Sequence, residues 1–279
     1  MSTIPTFLVV GAAKTGTSWL HQCMREHPNV FVPELKEVNF FSWHYDRPDW
    51  YRSFFSAREH EEEAGEISPS YMVSEETPKR INDWNPKTKL IFIFRDPVER
   101  AYSHYCMLLR AGGATDDIEA EMTKDRRLIQ EGLYFKHLNR FREYFSEDQI
   151  GCLVFDDLKE EPAEFLQDVY SFLGVKNQIS GDMVERKYHD RKARPRSDVM
   201  HQAATSLLWG AKHAGWWGAR AVHYLRKSRV AGIYNWLNGG NEFPPLPEHK
   251  RKELRAFYAK DMERLSSYMN RDLTAEWLQ

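Results

Sequence analysis

Lys14, Thr15, Thr17 and Ser18 stand together beside Gly11 and Gly16 in the run GAAKTGTS. A lysine, three hydroxyls and two glycines in so short a stretch suit the binding of an anion. The glycines let backbone approach a ligand closely. The residues on either side say how the stretch is held. Thr6 to Val10 is apolar or β-branched and reads as a buried strand. From Thr17 onward Trp19, Leu20, Cys23 and Met24 recur at helical spacing. Strand, glycine loop and helix form a cradle in which helix N-terminal N–H groups and the helix dipole favour negative charge. Ala13 to Ser18 are the residues expected to line it, with Lys14 supplying a full positive charge.

A second chemical cluster lies in LIFIFRDPVERAYSHY, residues 90–105. Leu90 to Phe94 reads as another buried strand of the parallel type. Arg95 follows at its end, Asp96 is placed to cap a helix, and Pro97 suits the first helical position. Arg95 and Ser103 can converge on one anion if the helix start curls back over the strand end.

The two stretches carry a resemblance. In a nucleotide-triphosphatase loop lysine follows the second glycine. Here it precedes that glycine, and the order is similar to the 5′-phosphosulfate loop of the sulfotransferases that use 3′-phosphoadenosine 5′-phosphosulfate (PAPS). The R-D-P-x-E-R-x-x-S-x-Y pattern resembles the same family's 3′-phosphate motif, which implies that Arg95 and Ser103 hold that phosphate. KEVNFF (residues 36–41) looks like a segment of heparan-sulfate and related bacterial sulfotransferases. GEISPSY (65–71) looks like their second strand and its exit. Tyr134, the strand from Ile150 to Phe155, and FLGV (172–175) match the later half. RKARPRS (191–197) resembles their late basic loop, adding Lys192, Arg194 and Arg196, with Tyr134, to the implied nucleotide contacts. The resemblance covers residues 5–196 and thins towards the end. At the position of Ile67 the glycosaminoglycan enzymes carry a lysine, and the late loop lacks the glycine-phenylalanine pair and flanking cysteines of the animal enzymes.

What the resemblance implies is sulfuryl transfer from PAPS to a hydroxyl or amine, releasing PAP, on a P-loop-like sulfotransferase fold. Lys14 would meet charge on the leaving 5′-phosphate. Glu37 would take the acceptor's proton, with His44 and His104 as rival bases and Glu66 as a neighbour or secondary base. No metal is required. The acceptor is expected to be a carbohydrate, a lipid or a small metabolite. A P-loop kinase and a non-catalytic nucleotide-binding module are the alternatives from other classes. The first needs G-K-[ST] order and a magnesium-binding aspartate at a strand end.

Composition sets outer bounds. The chain has 279 residues, 42% hydrophobic, 14% aromatic and 29% charged, with net charge −2. That is room for one large α/β domain with a sizeable core. No apolar run reaches the roughly 18 residues of a membrane span. MSTIPTF has neither a basic start nor an apolar core of a signal peptide, so the expectation is a cytoplasmic, bacterial enzyme without a nucleic-acid partner. Three cysteines without C-x-x-C spacing suit neither a disulfide framework nor a zinc site. Residues 187–229 hold ten Lys or Arg against two acids, an excess that suits an anionic nucleotide or a solvated basic face.

The elements must then position these groups. Strands are expected over 6–10, 65–67, 89–94 and 150–155. Helices are expected over 17–27, 77–83, 97–111, 117–130, 136–145 and 161–173, with a last one from 247 to about 270. Such alternation predicts a central parallel sheet flanked by helices on both faces. Ligands of such sheets bind beyond the strand C-termini, where Lys14 and Arg95 both fall. One domain over 1–279 is expected, made of a nucleotide-binding α/β core (1–198) and a mainly helical C-terminal part (199–279). Residues 199–245, rich in aromatics, read as a cap near the acceptor pocket, as packing on the core, or as a membrane-surface segment.

Overall fold

The computed structural model describes residues 4–179, 181, 184 and 243–278. Five strands form one parallel sheet: β1 (Phe7–Gly11), β2 (Val30–Phe31), β3 (Glu63–Ile67), β4 (Lys89–Phe94) and β5 (Ile150–Val154), in the order β2-β3-β1-β4-β5. The helices of the described residues are α1 (Thr17–Glu26), α2 (Phe40–Trp43), α3 (Pro48–Ser53), α4 (Thr77–Trp84), α5 (Pro97–Arg110), α6 (Ile118–Lys124), α7 (Arg127–Gln130), α8 (Tyr134–Arg142), α9 (Phe155–Glu160), α10 (Pro162–Leu173), α11 (Glu248–Met269) and α12 (Leu273–Trp277).

Strand side chains alternate between two apolar faces. Phe7, Val9, Ile91 and Ile93 join a core with Trp19, Leu20 and Met24 of α1 and Phe165, Leu166 and Val169 of α10. On the other face Phe92 meets Phe141 and Phe94 meets Tyr134, both of α8, with ring centroids 5.1 and 5.0 Å apart. Burial on both faces explains why β1 and β4 read as continuous apolar runs. Gly65 lets β3 close on β1, since a Cβ there would lie 2.3 Å from the Phe7 carbonyl oxygen.

The described residues fall into two compact units. One takes residues 4–101, 129–179, 181, 184 and 253–278, and holds the sheet; the other takes 102–128 and 243–252.

Several boundaries differ from the sequence-based expectation. Strand β2 is only two residues long and gives no periodic signal. Helices α2 and α3 are short and held by aromatic packing, with Phe40 stacked on Tyr51 at 4.1 Å. The single helix expected over 117–130 is two, because Asp125 ends α6 and caps the turn into α7, accepting from the Arg127 N–H at 3.1 Å. Phe155 begins α9 instead of ending β5. None of Cys23, Cys106 and Cys152 forms a disulfide. Among the described residues no helix is long and apolar enough to cross a membrane.

Candidate active site at the ends of β1, β3 and β4

Strand β1 leads directly into the glycine loop, and α1 begins at Thr17 with Gly16 as its left-handed N-cap, φ 79°. Only glycine fits there: a Cβ would press within 2.5 Å of Leu158, and the positive φ adds strain. The first turn of α1 contains no acidic residue. Its Thr17 and Ser18 N–H groups have no carbonyl four residues back within the helix, as at any helix start. Thr15 is buried, and its hydroxyl donates to the Ala12 carbonyl at 2.7 Å, closing the loop on itself. Thr17 is buried as well, whereas Ser18 is exposed and Ala13 and Lys14 are half-buried.

Lys14 adopts φ 77°, a region that costs a non-glycine residue about 1–3 kcal/mol. A neighbour holds it there: Arg95, at the end of β4, donates from Nη1 to the Lys14 carbonyl at 3.1 Å. The Arg95 guanidinium also lies 4.9 Å over the Phe155 ring and 3.9 Å from Glu99. Strands β1 and β4 are paired neighbours, so the two cationic residues of the two motifs meet at one sheet edge. A cavity of about 530 Å³ opens beside Arg95, lined also by Asp96, Lys159 and Arg271.

On the other side of β1, β3 ends at Ile67. Its carbonyl accepts the Glu37 N–H at 3.1 Å, while the Ser68 N–H reaches the Val9 carbonyl, also at 3.1 Å. Glu37 thereby hangs from the strand next to the one that carries the Lys14 loop. Its side chain is 52% exposed and paired with the Lys36 ammonium. Glu37 and Asn39 have φ 63° and 56°. Among the described residues four non-glycine residues have positive φ, and three of them, Lys14, Glu37 and Asn39, sit in the two loops that bear the candidate chemistry.

Beneath the Glu37 segment lies a buried carboxylate. Glu66, 1% exposed, accepts from Tyr51 Oη at 2.9 Å, from Ser68 Oγ at 2.9 Å and from Tyr71 Oη. The Val38 N–H also bonds to it. Burial pushes its carboxyl up to about 7, against the opposing pull of the hydroxyl donors and the Val38 N–H. The Tyr51 and Tyr71 hydroxyls are held well above their ordinary range, first by burial and then by the Glu66 charge.

The remaining expected site residues are distributed as follows. Ser103 is buried on α5, in the second unit. Tyr134 opens α8; its ring is fully buried, and its hydroxyl has no hydrogen-bond partner among the described residues. His44 ends α2, edge-on to Trp50 at 5.3 Å. His104 is on α5, half-buried. Lys192, Arg194 and Arg196 lie outside the described residues, as do most of the basic stretch and of the aromatic tail. Tyr51 escaped the sequence reading, because nothing in the run from Pro48 to Ser53 marks it as a partner of a carboxylate fifteen residues away.

Comparison with known proteins gives the family and the fold. The sulfotransferase domain family matches residues 5–207. The bifunctional heparan sulfate N-deacetylase/N-sulfotransferase 4 of Mus musculus is 32% identical, over 96% of this chain and 30% of its own length. The heparan sulfate glucosamine 3-O-sulfotransferase 3B1 of Homo sapiens is 33% identical, over 63% of this chain and 48% of its own length. The chain thus spans less than half the length of either relative. Its fold is similar to that of a sulfotransferase from Alicyclobacillus acidocaldarius, with TM-score 0.71 at 24% identity over 99% of both chains. With the domain matched from residue 5 to residue 207, the chain belongs to the sulfotransferase family.

Proposed function

We propose that the protein transfers the sulfuryl group of PAPS to a hydroxyl or amine of a carbohydrate acceptor, with Lys14 at the leaving phosphate and Glu37 as the base. The observation that carries the reading is the convergence of Lys14, Arg95 and Glu37 on the ends of three adjacent strands. In-line transfer requires a cation where charge develops on the leaving group, a base on the acceptor side, and fixed spacing between them.

The residues present fit the nucleotide. The loop from Gly11 to Gly16 ends on a helix N-terminus without acids, which suits the 5′-phosphosulfate. Lys14, Thr15, Gly16, Thr17 and Ser18, with Ala13, would cradle it. Thr15 would act through its grip on the Ala12 carbonyl, since its hydroxyl is already engaged there. Arg95 and Ser103 are assigned to the 3′-phosphate on the family resemblance. Tyr134, Lys192, Arg194 and Arg196 are assigned to the nucleotide on the same ground. Glu37, half-exposed and paired with Lys36, is open to an incoming acceptor. The carbohydrate class rests on the two relatives, both named for heparan sulfate. Ile67, where the glycosaminoglycan enzymes have lysine, points to a different sugar.

Calorimetry with PAP, PAPS and ATP, each with and without Mg²⁺, tests the donor. Tight binding of PAP and PAPS independent of Mg²⁺, with weak ATP binding, is expected. Tighter ATP binding that depends on Mg²⁺ would favour a kinase. Incubation with labelled PAPS and a panel of sugars then reads the acceptor.

A further inference from the structure

We infer that Glu66 is a positioning residue for Glu37: its buried carboxylate fixes the 37–41 segment against the exit of β3 and so aims the base. This rests on the reading of Glu37 given above.

The geometry is a chain of bonds between two segments. The Glu37 N–H bonds to the Ile67 carbonyl at 3.1 Å. The Val38 N–H bonds to Glu66 itself. The Asn39 N–H donates at 3.0 Å to Ser68 Oγ, which itself donates a hydrogen bond to Glu66 at 2.9 Å. The Phe41 N–H donates at 3.3 Å to Tyr71 Oη, which also donates a hydrogen bond to Glu66. Four N–H groups of the segment are therefore held by the β3 exit, and three of those bonds end on one carboxylate directly or through one hydroxyl. Tyr51 adds a further donor from α3. Asn39 completes the stitching, as its side-chain amide donates to the Glu37 carbonyl at 2.8 Å and accepts from Ser70 at 2.6 Å.

Such an arrangement has a use. Glu37 and Asn39 both stand in left-handed backbone conformations, which persist only when the surroundings over-determine them. An acceptor of hydroxyl and amide protons buried among donors supplies that constraint. Every group bonded to Glu66 is a donor, so a neutral amide in its place would turn its own N–H₂ towards another donor. The segment would then relax, and Glu37 would lose its aim while the Lys14 loop kept its own bonds.

The test combines exchange and kinetics. In Glu66→Gln the amides of residues 37–39 and 41 should exchange hydrogen at least about tenfold faster, with β1 and β4 unchanged. The kcat for transfer from PAPS should fall roughly 10- to 100-fold, with PAP affinity within about twofold of wild type. In a Glu37→Gln background, Glu66→Gln should cost nothing further, because residues acting as one unit are not additive. If Glu66→Gln does not fold, Ser68→Ala is read in the same way, with smaller effects. Unchanged exchange at 37–41, an equal fold-loss in both backgrounds, or PAP affinity falling together with kcat would each overturn the positioning role. Wild-type kcat in Glu37→Gln would instead sink the assignment of the base.

Discussion

The exits of β1 and β3 are neighbours in one sheet and solve opposite electrostatic problems. At β1 the chain keeps charge accessible: Lys14 is half-buried, Ser18 is exposed, and the first turn of α1 carries no acid. At β3 it buries a carboxylate to 1% exposure and surrounds it with donors from α3, the β3 exit and the 38–41 segment. An accessible cation can take a ligand's negative charge. A buried, saturated carboxylate can take nothing more, and its worth lies in holding others still. Accessible groups and holding groups are thus separable at one sheet edge, even where both are ionisable.

The largest expected effect would break the comparison outright. Glu37→Gln removes the proposed base with little change of shape, so kcat should fall about 10²- to 10⁴-fold while PAP binding holds. Calorimetry and steady-state turnover measured side by side separate the two. On the proposed mechanism Lys14→Ala would leave charge on the leaving phosphate unmatched, and a loss on the order of 10²-fold or more in kcat is expected. An unchanged kcat would mean that the β1 exit is only a turn.

Arg95 bridges the two motifs, and its substitution sharpens the picture. Two charge-assisted bonds to one phosphate are worth about 1.5–3 kcal/mol each. Arg95→Ala should therefore weaken PAPS roughly 10²-fold or more, with less effect on the donor lacking the 3′-phosphate, adenosine 5′-phosphosulfate. Some loss with both donors is expected as well, because Arg95 also holds the Lys14 carbonyl. Equal losses for both donors would assign Arg95 to the loop alone. Ser103→Ala should shift donor preference in the same direction by less.

The smallest effect concerns pH and stability. Glu66 is raised to about 7 by burial, whereas burial lowers His21 and His137 to about 4. Between about pH 4.5 and 6.5 the folded state holds a proton on Glu66 that the unfolded chain has lost, so this group favours folding less as pH rises. Over the same window the unfolded chain binds protons at the two histidines that the folded state does not, so their contribution improves as pH rises. In Glu66→Gln the opposing contribution vanishes, and the slope of unfolding free energy should steepen by about 1.4 kcal/mol per pH unit. Urea melts at three pH values read it, and parallel slopes would show that Glu66 titrates below the window.

How much was legible follows from how local each feature is. The Gly11–Gly16 loop, β4 and the start of α5 were readable because each is written in consecutive residues. Strand β2, with two residues, has no period to detect, and α2 and α3 depend on rings that meet only after folding, such as Phe40 on Tyr51. The Arg95 bond to the Lys14 carbonyl joins residues 81 apart, and no spacing rule reaches that far. Glu66 was recognisable as a glutamate near the strand exit, yet its burial and its four donors were not.

Local sequence was enough for the parallel sheet, the order of residues in the Gly11–Gly16 loop and the family, because apolar runs, glycines and one displaced lysine act through neighbouring residues. Only the tertiary structure decided that Lys14, Glu37 and Asn39 take left-handed conformations and that Glu66 lies beneath Glu37. Those outcomes are set by hydrogen bonds between distant segments, and such bonds form only once burial has removed water as the competing partner.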